Sequence, residues 1–211
     1  MDRRPLFERV RPANRAEFVG NADAVDAAYA YVKGHDRGAL WVSGDSGTGK
    51  TSLALLLAKE LGAHVECLWG DSVGVDAVRE IAETWHRGIL VGSGWRVWIV
   101  DEAHAMPTRA VQAWLNALEH IPARRLVIFT SSEKLPVRIA QSELFGKDSF
   151  PFFSRLKRFH LTKQGLSEPF AARLREIMQA EGRDGHPIEW YEAYLRERNG
   201  NLRLALSDLD E

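Results

Sequence analysis

Gly44-Asp45-Ser46-Gly47-Thr48-Gly49-Lys50-Thr51 fills the G-x-x-x-x-G-K-[ST] phosphate-loop template without a mismatch, and its reading decides the fold. The glycines let the chain turn with positive φ and aim successive backbone N–H groups at an anion. The N-terminus of a following helix adds partial positive charge. At this spacing Lys50 reaches phosphate oxygens as a point charge, and the Thr51 hydroxyl is placed to ligate Mg²⁺. A chain of this length matches the template by accident in roughly one case in a hundred. Context argues against an accident. The apolar run Ala39-Leu40-Trp41-Val42 precedes the loop, and Ser52-Leu53-Ala54-Leu55-Leu56-Leu57-Ala58-Lys59-Glu60-Leu61, rich in helix formers, follows it. Strand, glycine loop and helix predict a bound nucleoside triphosphate; the competing reading is a glycine-rich turn with no ligand.

Working outward, strand-like runs recur at Ala39–Val42, His64–Leu68, Arg96–Val100 and Leu126–Phe129. Helical patterns separate them: Thr51–Leu61, Val75–Trp85 and Thr108–His120, the last with Val111, Trp114, Leu115 and Leu118 on one face. This alternation predicts an α/β domain with a mostly parallel sheet covered on both faces, over residues 1–161. Beyond Leu161 the pattern becomes all-helical. Ser167-Glu168-Pro169 opens a helix that Gly182 ends, and Ile188–Arg198 and Asn201–Leu209 add two more, predicting a small all-helical second domain over residues 162–211.

The 211 residues are 45% hydrophobic and 27% charged with a formal charge of −1, the composition of an ordinary globular protein. No apolar run approaches a membrane span, and Met1-Asp2-Arg3-Arg4-Pro5 lacks a signal core, so the expectation is a cytoplasmic protein. A single cysteine, Cys67, excludes an internal disulfide and a Cys₄ zinc site, and is expected to be a buried strand residue. Near-neutral charge confines any nucleic-acid contact to a local patch.

A second motif carries chemistry. Arg96-Val97-Trp98-Ile99-Val100-Asp101-Glu102 is an apolar strand ending in two carboxylates. Asp101 is the candidate to hold Mg²⁺ through water, and Glu102 to polarise the water that attacks the γ-phosphate. Paired acids at a strand end are a weak sign alone. An intact phosphate loop upstream makes them a strong one.

Together these motifs resemble the AAA+ ATPases, specifically clamp-loader small subunits of the replication factor C and bacterial gamma type, nearly end to end. Leu6-Phe7-Glu8-Arg9-Val10-Arg11-Pro12 and Phe18-Val19-Gly20-Asn21 are similar to the family's opening segment, which implies that Val10, Arg11, Val19 and Gly20 line an adenine pocket. Gly44–Thr51 matches Walker A, which implies Asp45, Ser46, Gly47, Thr48, Gly49, Lys50, Thr51 and Ser52 as nucleotide-binding residues, and Asp101-Glu102-Ala103-His104 resembles Walker B. Leu126–Glu133 sits where the family has its sensor 1 strand, with Ser132 in place of the usual Asn. Ser154-Arg155 resembles the arginine finger, and Gly200-Asn201-Leu202-Arg203-Leu204-Ala205-Leu206 the sensor 2 helix, making Arg203 the candidate sensor.

The resemblance implies ATP and Mg²⁺ as cofactors, ATP hydrolysis, self-association through ATP-bridged interfaces, DNA as a candidate ligand, and a replication or repair protein as partner. The departures are Leu156 for the family's cysteine, a long interval between Ser132 and Ser154 suggesting an insertion at 135–150, and no sequence for the collar domain after the sensor 2 helix. Several bland readings stay open. Arg155 opens Arg155-Leu156-Lys157-Arg158-Phe159-His160, which also reads as a solvated strand edge. Arg203 also reads as a partner of Asp208. Arg79 and Arg109 read equally as DNA-facing residues or as solvated helix faces. An assembly switch, or a monomeric nucleotide-binding accessory module without a DNA role, remains an alternative.

Overall fold

A computed structural model of the chain describes residues 4–86, 93–133, 151–183 and 185–210. The four expected strands are present as β1 (Gly38–Gly44), β2 (His64–Trp69), β3 (Arg96–Asp101) and β4 (Arg125–Ser131), and a fifth, β5 (Lys157–Leu161), is formed by the basic stretch. All pair in parallel in the order β2-β3-β4-β1-β5. Parallel strands cannot be joined by hairpins, so helices run between them: α2 (Ala22–Gly34) leads into β1, and α3 (Lys50–Glu60), α4 (Val75–Thr84) and α5 (Thr108–Leu118) connect the next strands.

Because both faces are covered, alternate residues of each strand enter different cores. Trp41, Trp98, Val100 and Phe129 face α4, α5 and the short helix α6 (Pro151–Ser154), where Trp114 meets Phe129 edge-on at 5.3 Å between ring centres. Leu40, Val42, Ile99 and Ile128 face α2 and α3. Helix α2 belongs to the second core through Val25, Ala28, Tyr29 and Val32, a helical spacing that the strand-and-helix reading above does not use.

A third core holds the C-terminal helices α7 (Ser167–Ala180), α8 (Ile188–Glu197) and α9 (Leu202–Asp208) around Phe170, Leu174, Tyr191 and Leu206. Leu6, from the N-terminal helix α1 (Leu6–Arg9), is fully buried in this cluster rather than against the sheet. Its backbone N–H donates to Asp210 Oδ2 at 2.7 Å, and Arg9 pairs with Glu181 at 3.2 Å. Asn21 ties the two parts, donating to the Thr162 carbonyl at 3.1 Å and accepting from the Thr162 N–H at 2.8 Å.

Cys67 corrects an expectation. It lies on β2, the outer strand, and is exposed because among the described residues that strand has no neighbour on one side. Burial of its sulfur side is still enough to push the thiol pKa up. The 135–150 segment, suggested above as an insertion, lies outside the described residues.

Candidate nucleotide site

β1 lies between β4 and β5 while the chain next builds β2 at the far edge, so the carboxyl ends of the strands open into a crevice beside the phosphate loop. Sheet and lid line this crevice together: Ser46 to Ser52 from the loop, Asp101 and Glu102 from the end of β3, Val10, Arg11, Phe18 and Val19 from the N-terminal segment, and Arg173, Ile177, Arg203 and Leu206 from the lid.

The loop holds a shape that only glycine permits at two points. Gly47 has φ +84°, and a Cβ there would stand 2.2 Å from Asn201 Oδ1; Gly49 has φ +93°, and a Cβ would strike the Phe18 ring at 2.8 Å. Asn201 also reaches the loop directly, its Nδ2 donating to Ser46 Oγ at 3.3 Å. Lys50 is only 6% exposed, and its ammonium donates to the carbonyls of Gly44 and Asp45 at 2.9 and 3.1 Å. Burial pushes its pKa below the ordinary lysine value, and the Glu102, Asp101 and Asp45 carboxylates oppose that shift. A buried cation held by carbonyls beside a glycine cradle fits a polyphosphate.

Thr51 Oγ1 donates to both Asp101 oxygens, at 3.1 and 3.0 Å. A hydroxyl and a carboxylate facing each other are the oxygen ligands that Mg²⁺ takes, so the donor set fits the metal. Asp101 is held from its other side by Thr130 Oγ1, which also accepts from the Glu102 N–H at 3.3 Å. Glu102 itself has φ +51°, which swings its side chain away from the strand direction. Its Oε2 accepts from Ser132 Oγ at 2.8 Å and lies 3.2 Å from His104 Nδ1. Ser132 thus meets the candidate base directly, a shorter residue than the family's Asn touching the same carboxylate.

The remaining candidates divide. Val10, Arg11 and Val19 line the cleft, whereas Gly20 packs beneath Leu166 and Asp45 contributes its carbonyl to Lys50. Arg203 lines the cleft with its guanidinium 4.7 Å over the Phe7 ring. It does not pair with Asp208, whose carboxylate accepts from Arg198 at 2.8 Å. Arg155 does not line its own chain's cleft; it pairs with Glu119 and donates to the Pro151 carbonyl at 2.7 Å. Three residues at the site had no place in the sequence reading. Thr130 hides in an apolar strand, fully buried behind the cleft, where it touches Asp101 and Glu102. Arg173 lies on lid helix α7 far along the chain, and Trp69 ends the outer strand.

A family model described as "ATPase family associated with various cellular activities (AAA)" matches residues 40–146, the stretch from β1 past Walker B and β4. The chain belongs to the AAA family. It is 28% identical over 208 residues to the replication factor C small subunit of Halobacterium salinarum, covering 96% of this chain and 61% of the relative. It is 29% identical over 213 residues to replication factor C subunit 2 of Arabidopsis thaliana, covering 97% of this chain and 60% of that protein. The chain thus spans roughly three-fifths of these relatives' length. Among solved structures, a Thermotoga maritima RuvB mutant superposes with TM-score 0.71 at 18% identity, covering 94% of this chain and 63% of that one. The Thermotoga maritima RuvB Holliday junction branch migration motor gives 0.65 at 22%, covering 93% and 63%. At these identities the RuvB likeness shows the fold, an AAA+ α/β sheet with helical C-terminal part.

Proposed function

We propose that this chain binds ATP·Mg²⁺ between an α/β domain at 1–161 and a lid at 162–211, hydrolyses it, and works as a clamp-loader-like subunit in DNA replication or repair. The observation that carries the reading is the convergence, at one set of strand ends, of Lys50, Thr51, Asp101, Glu102 and Ser132, with Arg203 facing them from the lid. Val10 and Val19, with Ile177 and Leu206 from the C-terminal helices, form the apolar wall suited to the base, and Arg11 lies beside it.

Within that reading each residue has a task set by its position. Lys50, itself buried, exchanges its carbonyl partners for phosphate oxygens, a charge-assisted gain. Thr51 and Asp101 would hold Mg²⁺, which when bound neutralises charge on the β- and γ-phosphates. Glu102 orients the attacking water and accepts its proton, and Ser132 fixes the carboxylate that does so. Arg203 leaves Phe7 to meet the γ-phosphate. Arg155, remote from its own cleft, completes the site of a neighbouring copy as an arginine finger.

Two observations support the wider role. Relatives along nearly the whole chain are replication factor C subunits. Arg79 and Arg109 line one groove between α4 and α5, together with Gln112, Asn116 and the apolar Val75, Val78 and Ala113, and the two arginines are the groups in it suited to phosphates. Among the described residues no helix is long and apolar enough to cross a membrane; within this reading the protein is cytoplasmic. The deciding experiment is Glu102→Gln. Phosphate release should fall by orders of magnitude while ATP binding persists, and primed DNA should stimulate the parent. Parental hydrolysis by Glu102→Gln refutes the assignment, and ATP turnover indifferent to DNA favours an assembly switch.

A further inference from the structure

Trp69 ends β2 at the outer edge of the sheet and is 60% exposed, while Trp41, Trp85, Trp98 and Trp114 are buried. Scattered apolar surface residues are ordinary, but an indole left this open is uncommon, and the placement is specific. Trp69 is in register with Asp101 across the β2–β3 pair and lines the cleft mouth with Thr51, Asp101 and Glu102. The phosphate loop hangs from β1, and β4 and β3 lie between β1 and β2. Trp69 therefore stands on the far side of the carboxylates from the loop, whereas the base wall lies towards the lid.

The occupant is suggested by charge. The cleft lining beside Trp69 carries Asp101 and Glu102, and exposed Asp71 follows two positions on in the turn Gly70–Ser72. At the other end of the molecule, Arg155 is presented outside its own cleft, followed by exposed Lys157 and Arg158. Its ion pair with Glu119 is at the surface, where such pairs exchange readily. We infer that Trp69 is the receptor on which a second copy of this chain seats its Arg155 end, an inference that rests on the ATP-bridged assembly proposed above. A guanidinium stacks flat on an indole face and keeps its in-plane N–H donors free. A carboxylate in the same place would saturate those donors. The indole holds the arriving cation and leaves its hydrogen-bonding edge for the phosphate.

The test uses the Glu102→Gln protein with ATP and Mg²⁺, so that turnover does not dissolve the assembly. By sedimentation velocity over a concentration series, Trp69→Ala should weaken association roughly 30-fold, as expected when an aromatic anchor is truncated. Trp69→Phe, which keeps a ring face, should recover part of the loss. Arg155→Ala should weaken association similarly, and the double variant should be no worse than the poorer single one, because the two side chains share one contact. ATP affinity measured on dilute Trp69→Ala separates a contact to the partner from a contact to the chain's own nucleotide. Unchanged association by Trp69→Ala overturns the inference, and so does additive weakening in the double variant. A parallel loss of ATP affinity also overturns it and makes Trp69 a contact to its own chain's nucleotide. If the parent shows no ATP-dependent association, the assembly reading falls and this inference falls with it.

Discussion

Replacing Thr130 with valine removes one hydroxyl from the centre of the site and leaves the shape almost unchanged. Thr130 is fully buried; its Oγ1 donates to Asp101 and accepts from the Glu102 N–H. The bond to a carboxylate contributes about 1.5–3 kcal/mol, and an orphaned buried N–H costs about 1–3 kcal/mol. Asp101 keeps its contacts with Thr51 and both acids are partly solvated, so the lower halves of these ranges apply. The added methyl returns up to ~1 kcal/mol through apolar burial. The net expectation is about 2–3 kcal/mol of lost stability, read as a lower urea midpoint with an unchanged slope. The same change frees Asp101 to rotate. Outer partners that orient a metal ligand typically matter by about 10–100-fold, so the Mg²⁺ concentration for half-maximal ATP hydrolysis should rise by that factor. Thr130→Ser, which retains the hydroxyl, should sit close to the parent in Mg²⁺ dependence. A Thr130→Val protein with parental urea midpoint and parental Mg²⁺ dependence would refute the reasoning, since nothing would then link Thr130 to the carboxylates.

Three further outcomes are expected. Gly47→Ala puts a Cβ at positive φ against Asn201, and left-handed backbone alone costs about 1–2 kcal/mol, so calorimetric ATP affinity should drop tenfold or more while far-UV circular dichroism stays parental. Trp114→Ala empties space under Phe129 and should lower unfolding free energy by about 3–5 kcal/mol in denaturant titration; a loss under about 1 kcal/mol would mean the site collapses or refills. Mixing Arg155→Ala with Lys50→Ala should restore ATPase activity above the sum of the two, because an intact pocket meets an intact finger; a strictly additive mixture of co-assembled subunits rules out the trans role.

The parts of this molecule that could be read in advance depend on neighbours in sequence. The phosphate loop is eight consecutive residues between a strand and a helix, and Asp101-Glu102 ends an apolar run, so spacing alone finds both. Helix α2 was equally visible in the Val25, Ala28, Tyr29, Val32 spacing but carries no motif to draw the eye. Thr130 is different in kind. In sequence it is one more β-prone residue in Leu126–Ser131, and only the parallel register of β3 with β4 sets its hydroxyl against Asp101. Arg173 enters the cleft because the C-terminal helices fold back across the chain, a tertiary event that no local pattern encodes, whereas Arg203 is legible through the resemblance of Gly200–Leu206. Cys67 was misjudged because β2 reads like an interior strand, while the sheet order makes it an edge.

The helix carrying Leu6 has a practical bearing on how motion in this molecule is measured. Leu6 is sunk among lid residues, and its backbone is bonded to Asp210, although 204 positions separate the two. Helix α2, a short way further along, belongs instead to the sheet. The chain therefore crosses from the helical core to the sheet core within its opening stretch, around Pro12 to Asn21. A dye attached just ahead of Leu6 rides on the lid, and one on the outer face of α2 rides on the sheet. Energy transfer between them would report any displacement of the C-terminal helices against the sheet, from two labels that a linear map of the sequence would assign to the same domain.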